Sequence, residues 1–520
     1  MMHMLTTATT LLTIATAAQA QAEPVPIDAW HFGNVPVARL LDEDALVRDR
    51  LSPVRFAEKH RPMITPADAG TLEDLGDGTV RWRLRLESFN ALSVNLGMLY
   101  DVPPSTVVTL RDADGEPFFR PLTAADNMPH GEFWTPLVAG SVLELDAVVA
   151  ADEWDAFEAG LWVTDVNLGY RSLREAAAEA MANRERGTDR GIAPQDACLI
   201  DVVCPIADPW RTQVNGVGLY TIDGFLTCSG AMLNNTAEDG TPYFYSADHC
   251  GPQDNPAGVV TYWNMQSSVC RPVGSTENGE IGDGAYDSPI VGGTVLVANA
   301  PDADSTLVRH LGTVPPAYGI EFLGWDRSFS PISSTVGISH PGVQEKRIAF
   351  DDDPATFGVY DGSAFGLSAT IFVWQAIWEN GGVNRGSSGS PMFDQNGRVV
   401  GTATAAGPLD IENYCPQQVT VYGRLDRAWA DDPAFAAALD PLATGQLTLD
   451  VLAPPAVCTG DIDGDGSTNL ADFTILAANF GATGLPSGAG ESLSLGDIDD
   501  DGDVDLGDFT LLAANFGCAP

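Results

Sequence analysis

No cysteine precedes Cys198, no lysine or arginine follows Cys458, and outside the amino terminus no stretch is long and apolar enough to cross a bilayer. The first absence marks a boundary, because the leading third of the chain is chemically unlike the rest. The second concentrates acidity at the carboxyl end. The third argues against an integral membrane protein. Cations are scarce throughout, 26 Lys and Arg against 71 Asp and Glu, giving a formal charge of −45 and a pI near 4.1. A surface of that sign repels phosphate backbones and anionic membranes, so nucleic acid is not an expected partner. The amino terminus also lacks basic residues, with only His3 standing there. Its short apolar run nevertheless ends in Ala18-Gln19-Ala20 and Ala20-Gln21-Ala22, which predicts a signal peptide over 1–22 and a secreted or cell-surface protein.

What is present begins with eight cysteines, an even number that suits disulfides in an oxidising compartment. A chain of 520 residues can hold several domains with large cores. Residues 23–186 read as an amino-terminal β domain. "TVRWRLRLES" alternates Val80, Trp82, Leu84 and Leu86 with Arg81, Arg83 and Arg85, the pattern of a half-buried antiparallel strand. "ALSVNLGML", "TVVTLRDADGEPFF" and "SVLELDAVV" continue it, with "DADG" as a turn, and a β-sandwich fits. "SLREAAAEAMANRERGTDRG" (172–191) predicts a helix closing in Arg184, Arg186 and Arg190, suited either to proteolytic nicking or to a plain linker.

Short apolar runs punctuated by Gly, Pro and Asn predict a second β domain, a barrel or sandwich pair, from Cys198 to about 452. In it "YFYSADHCG" (243–251) is a strand that stops at His249, wedged between an acid and a cysteine. Later, "NRGSSGSPMFDQNGRVVG" (384–401) has a Gly-x-Ser-Gly turn that would turn a serine hydroxyl outward while its small neighbours let backbone N–H groups converge. Donors aimed at a developing oxyanion are worth roughly 3–4 kcal/mol of transition-state stabilisation.

A His-Cys at a strand end, then Gly-x-Ser-Gly-x-Pro, resembles the chymotrypsin-fold serine proteases, and within them the lysyl endopeptidase-like branch. The likeness covers residues 197–430 and rests on "CLIDVVCP", "CSGAMLNNT", "YFYSADHCG", "VTYWNMQSSVCRP", "FLGWDR", "QEKRI" and "GSSGSPMF". It implies a double β-barrel protease domain over 187–452, mainly β like the domain before it, with His249 as general base and Ser388 as nucleophile. It also implies an oxyanion hole from the N–H groups of Gly386 and Ser388. The third triad member matches Asp304 in "ADSTLV", with Asp302, two residues back on the same strand face, as the alternative. Such proteases are often made as precursors, so 23–186 would be a propeptide released between Gly187 and Cys198. A permanent β-domain that binds something else is the other reading.

Departures from the family are informative. Ser387 replaces the acid that in chymotrypsin binds a freed amino terminus. Thr420 in "VTVYGR" stands where the branch has its lysine-binding Asp, and Thr404 where it has a pocket histidine. With Gly382 also uncharged, a buried cation would go unpaired at a cost of several kcal/mol, so no lysine preference is expected unless Asp410 or Glu412 reaches the pocket. The resemblance pairs Cys198 with Cys415, Cys204 with Cys270 and Cys228 with Cys250. That leaves Cys458 and Cys518, which bracket the tail, to pair with each other.

The tail repeats itself: "GDIDGDGSTNLADFTILAANFG" (460–481) returns as "GDIDDDGDVDLGDFTLLAANFG" (496–517). Each copy places oxygen ligands as a calcium loop requires, followed by one amphipathic helix. The ligands are Asp461, Asp463, Asp465, Ser467 (carbonyl), Asn469 and Asp472, then Asp497, Asp499, Asp501, Asp503 (carbonyl), Asp505 and Asp508. Two such units resemble a type I dockerin, a small α-helical EF-hand-like domain over 458–520. It would hold two Ca2+ ions, dock on a cohesin-like or other surface protein, and hang on the linker 453–457. Leu470-Ala471 and Leu506-Gly507 replace the family's recognition Ser-Thr pairs, which disfavours an ordinary cohesin. The chain is thus expected to be a secreted serine endopeptidase acting on polypeptides, needing no cofactor for catalysis. The rival is an inactive protease-like adhesion module displayed through the tail.

Overall fold

The computed structural model describes residues 26–46, 53–171, 198–407, 418–452 and 458–518, apart from 276, 277, 279–282, 287, 364, 365, 367, 369, 464–466, 484, 486–492 and 500. The signal-peptide region, the helix expected over 172–191 with Arg184, Arg186 and Arg190, the linker 453–457, and Asp410, Glu412, Cys415 and Asp465 lie outside the described residues.

The chain divides into two compact units. The first comprises residues up to Val35, Lys59–Gly131 and Leu137–Leu168. Its central strand Thr79–Glu87 pairs antiparallel with Val142–Ala150, which pairs in turn with Val107–Arg111. Trp82, Leu84 and Leu86 are buried as the alternation predicts. The arginines on the other face are not simply solvated. Arg81 and Arg111 both reach Asp146, at 2.6 and 2.9 Å, and Arg85 lies 3.2 Å from Glu87. Asp112 accepts from Gly115 N–H through its carbonyl, closing the expected "DADG" turn.

The second unit holds everything from Gly169 onward together with Pro36–Glu58 and Glu132–Pro136. Its first antiparallel sheet runs in the order Ser288–Ile290, Val259–Trp263, Val217–Ile222, Leu226–Leu233, Tyr243–Ser246, Ser305–His310, Thr294–Ala300. Val54–Arg55 adds to it beside Leu226–Thr227. A second sheet, from Ile200–Asp201 to Thr356–Tyr360, has Pro391–Phe393, Val399–Gly407 and Gln418–Arg424 at its centre. Strand Val217–Ile222 is buried on both faces, and one core joins Val217, Leu233, Tyr245 and Leu307 of the first sheet to Ile338, Phe393 and Val399 of the second. Close packing of this kind fixes how the loops at the sheet ends face each other.

In the tail, helices Leu470–Asn479 and Leu506–Asn515 share a small core of Ile462, Leu476, Val504 and Leu512. Asn469 and Asp505 cap them, each completing a capping box with Asp472 or Asp508. Disulfides join Cys204 to Cys270, Cys228 to Cys250 and Cys458 to Cys518. Cys198 is also disulfide-bonded.

Candidate active site

The strand Tyr243–Ser246 ends in a short 3-10 turn, Asp248–Cys250, that carries His249. Strand Ser305–His310 lies alongside, with Ser246 opposite Thr306. Pro301 starts another 3-10 turn just before it, which Asp304 ends in the left-handed region, φ 46°. Few residues other than glycine adopt that conformation, though Asp tolerates it, and it turns this carboxylate back on the histidine. The two loops therefore meet. His249 Nδ1 lies 2.9 Å from Asp304 Oδ2 and 3.1 Å from Oδ1, and the His249 backbone N–H donates to Oδ1 at 3.0 Å. Both side chains are 1% exposed. An Nδ1–H held by a carboxylate leaves Nε2 as the basic nitrogen.

Asp302 does not share a strand face with Asp304, because both belong to the turn preceding the strand. It accepts from Ser368 Oγ at 2.7 Å instead. A second carboxylate does sit beside the histidine. Asp248 is pushed up by burial and takes hydrogen bonds from Asn299 (2.8 Å) and Gln253 (3.0 Å), which brace the turn.

Ser388 lies on the tight turn before strand Pro391–Phe393 and is 8% exposed. The turn abuts the strand leading to His249. A Cβ placed on Gly389 (φ +81°) would stand 2.1 Å from Ser246 Oγ, 2.4 Å from Ser229 O and 3.0 Å from Ala247 N, so only glycine permits this approach. The Ser388 carbonyl accepts from Ser229 N–H at 2.9 Å. Among the described residues Ser388 Oγ makes no hydrogen bond. The N–H groups of Gly386 and Ser388 likewise donate to none of these residues. Each is oriented through its own peptide plane, whose carbonyl on the opposite side is tied: Arg385 O to Gly342 N (2.6 Å) and Ser387 O to Ser390 N (3.0 Å). Gly386 takes φ +92° to do so.

The position before the serine carries no charge. Ser387 is buried, its hydroxyl 2.8 Å from Ser339 Oγ and accepting from Asn384 N–H at 3.2 Å. The residues expected to shape the pocket are neutral and occupied. Thr420 Oγ accepts from the Trp378 indole at 2.9 Å, and Thr404 Oγ from Gly423 N–H at 3.0 Å. Gly382 sits beside Gln418, whose side chain holds both the N–H and the C=O of Val383.

"QEKRI" (344–348) carries the family resemblance without naming a role for its residues. These residues are buried. Asp201 is bracketed by Arg271 (2.6 Å) and Arg347 (2.7 Å), with Glu345 3.4 Å from Arg271. Lys346 donates to Val214 O at 2.7 Å, and burial holds its ammonium down to about 7. Ser229 has no signal of its own in the sequence beyond its place as the second letter of "CSGAM".

In the tail, carboxylate oxygens of Asp461, Asp463 and Asp472 lie within 4.8 Å of one another, as do those of Asp497, Asp499 and Asp501. Asp472 and Asp508 each take three backbone N–H groups, from Ile462, Asp463 and Asn469 and from Ile498, Asp499 and Asp505, which draws each loop around its helix start. Asn469 and Asp505 turn a side-chain oxygen to the helix, bonding Ala471 N–H (2.8 Å) and Gly507 N–H (2.6 Å). All-oxygen sets of this kind fit a hard cation such as Ca2+. A third group, Asp351, Asp353 and Glu379, lies at the ends of strands Arg347–Asp351 and Ile371–Trp378 of the second sheet.

Residues 193–414 match the family model described as "Lysyl endopeptidase, C-terminal domain". Over 428 residues the chain is 24% identical to a lysyl endopeptidase of Pseudomonas aeruginosa, covering 77% of this chain and 86% of that protein. Among solved structures it is similar to the active form of the Rv3671c protease from M. tuberculosis, with 15% identity and a TM-score of 0.29 over 45% of this chain and 87% of that one. The MamO protease domain from Magnetospirillum magneticum gives 13% identity and a TM-score of 0.27 over 41% of this chain and 94% of that one.

Proposed function

We propose that the chain is a secreted serine endopeptidase. The observation that carries this reading is the buried His249–Asp304 pair on a turn packed against the one that holds Ser388. His249 Nε2 takes the proton of Ser388 Oγ as the oxygen bonds the scissile carbonyl carbon. Asp304 keeps Nδ1 protonated and offsets the imidazolium charge. Gly386 and Ser388 N–H groups receive the oxyanion. The C–N bond then breaks as the proton passes from Nε2 to the leaving amine. Water, activated by the same nitrogen, hydrolyses the acyl-enzyme and restores Ser388.

Neutral Thr404, Thr420 and Gly382 give a pocket for uncharged side chains, unlike what the relatives' name implies for them. The two Asp-rich loops each take a calcium ion, whose charge offsets the gathered carboxylates, and the tail serves as a dockerin-like attachment module. Residues 23–186 act as a propeptide.

A fluorophosphonate probe tests the reaction class: wild type is labelled and Ser388→Ala is not. Equal labelling of both, or none of either, leaves the inactive adhesion module as the answer. Peptide hydrolysis by the labelling-competent protein tests the pocket, and a sharp preference for lysine refutes it. Amino-terminal sequencing of the secreted protein tests the propeptide reading, since a start at the signal-peptide junction rejects it.

A further inference from the structure

We propose that Ser229 is a positioning residue for the oxyanion peptides, gripping from the first sheet the turn that bears Gly386 and Ser388. The inference rests on the serine-protease reading above. Ser229 is fully buried on strand Leu226–Leu233. Its N–H donates to the Ser388 carbonyl at 2.9 Å, and its hydroxyl donates to the Gly386 carbonyl at 2.8 Å. The same oxygen accepts the His340 N–H at 3.0 Å, so the direction of its single proton is fixed from behind. Its own carbonyl accepts from Ser246 Oγ at 2.9 Å. Its neighbour Cys228 is bonded to Cys250, the residue after His249. One residue, through its side chain and its backbone, thus ties the nucleophile's turn to the strand that delivers the base.

The consequence for the oxyanion follows from peptide planarity. The planes bearing the two donor N–H groups are set by Gly342 and Ser390. The plane between them, joining Gly386 to Ser387, is held at both ends: Ser387 N–H donates to Asn384 O at 2.9 Å, and the Gly386 carbonyl meets the Ser229 hydroxyl. Gly386 has no Cβ to resist rotation. With the hydroxyl gone, this middle plane is held only by its N–H end, and the angle between the two donor planes that it joins at Gly386 and Ser387 loses its fixed value. The substrate-binding surface is untouched, because Ser229 is buried beneath the turn. The effect therefore falls on the transition state rather than on substrate binding.

The full chain is tested as Ser229→Ala and Ser229→Cys. In Ser229→Ala, kcat is expected to fall on the order of tenfold, a fraction of the loss from deleting an oxyanion donor. KM stays within about twofold, and affinity for a peptide aldehyde, which forms the tetrahedral adduct, falls in step with kcat/KM. Ser229→Cys, keeping a weak donor, lies between. A folded Ser229→Ala protein with wild-type kcat, or a loss confined to KM, overturns the proposal. If Ser229→Ala does not fold, Ser229→Cys carries the test with the same two outcomes, because its weaker donor loosens the same contact to the Gly386 carbonyl. Wild-type protein that refuses the fluorophosphonate probe overturns the protease reading and this inference together. A labelled wild type with unaffected variants overturns this inference alone.

Discussion

The β unit around Ser388 and the Asp-rich tail handle charge in opposite ways. In the β unit two buried carboxylates meet opposite charges: Asp201 sits between Arg271 and Arg347, and Asp304 faces His249. In the tail, like charges are gathered instead, and no basic residue follows Cys458 to balance them. Desolvation, then Asp508 and Asp501, pushes the Asp499 carboxyl up; desolvation, then Asp501 and Asp505, does the same to Asp503. A like-charge cluster destabilises its own fold unless something positive joins it. Arg271, Arg347 and His249 supply the opposite charge in the β unit, whereas the calcium ions proposed above would supply it in the tail.

Chelation should separate the two regions most sharply. With excess EGTA, amide-exchange protection of helices Leu470–Asn479 and Leu506–Asn515 is expected to vanish and to return with Ca2+. The Cys458–Cys518 disulfide keeps the ends joined throughout. Fluorophosphonate labelling at Ser388 should stay within about twofold, since no residue of the proposed reaction centre belongs to the loops. Tail helices equally protected with and without calcium would erase the contrast.

The mirror-image perturbation removes a charge from the balanced region. Asp201→Ala leaves two buried guanidinium groups short of the carboxylate they share. Deleting one member of a buried ion pair typically costs about 3–5 kcal/mol. The urea midpoint followed by tryptophan fluorescence should drop accordingly, with calcium affinity of the tail unchanged. An unshifted midpoint would mean that Glu345, 3.4 Å from Arg271, is enough by itself.

How much of this was legible in the sequence depends on how local each signal is. His249, Ser388 and the two Asp-rich loops announce themselves because their chemistry sits within a few consecutive residues. The tail's apolar repeat names its helices for the same reason. Asp304 and Asp302 could not be separated by spacing. A left-handed turn before the strand, rather than a strand face, decides which of them meets His249. Ser229 was invisible, since its hydroxyl acts on a carbonyl 157 residues away. The arginines of "TVRWRLRLES" looked solvent-facing by alternation alone, because period-two patterning cannot tell water from a partner such as Asp146 on the next strand.

Lys346 departs from the pairing seen at Asp201 and gives the finest test of the comparison. It is buried, its ammonium donates to the Val214 carbonyl rather than to a carboxylate, and burial brings it down to about 7 from an ordinary 10.5. Nearby His340, buried and next to this cation, is held down to about 3. Between about 7 and 10.5 the unfolded chain carries the lysine proton and the folded one does not. The unfolded state then binds more protons, and stability rises with pH across that window. Below it both states are protonated, and the burial penalty is present in full. Each pH unit within the window is worth at most about 1.4 kcal/mol. Lys346→Met should be more stable than wild type near neutral pH and should flatten the rise, so the two curves of urea midpoint against pH converge as the solution becomes alkaline. Parallel curves would place the Lys346 ammonium in contact with solvent or an anion, and Lys346 would then be matched as Arg271 and Arg347 are.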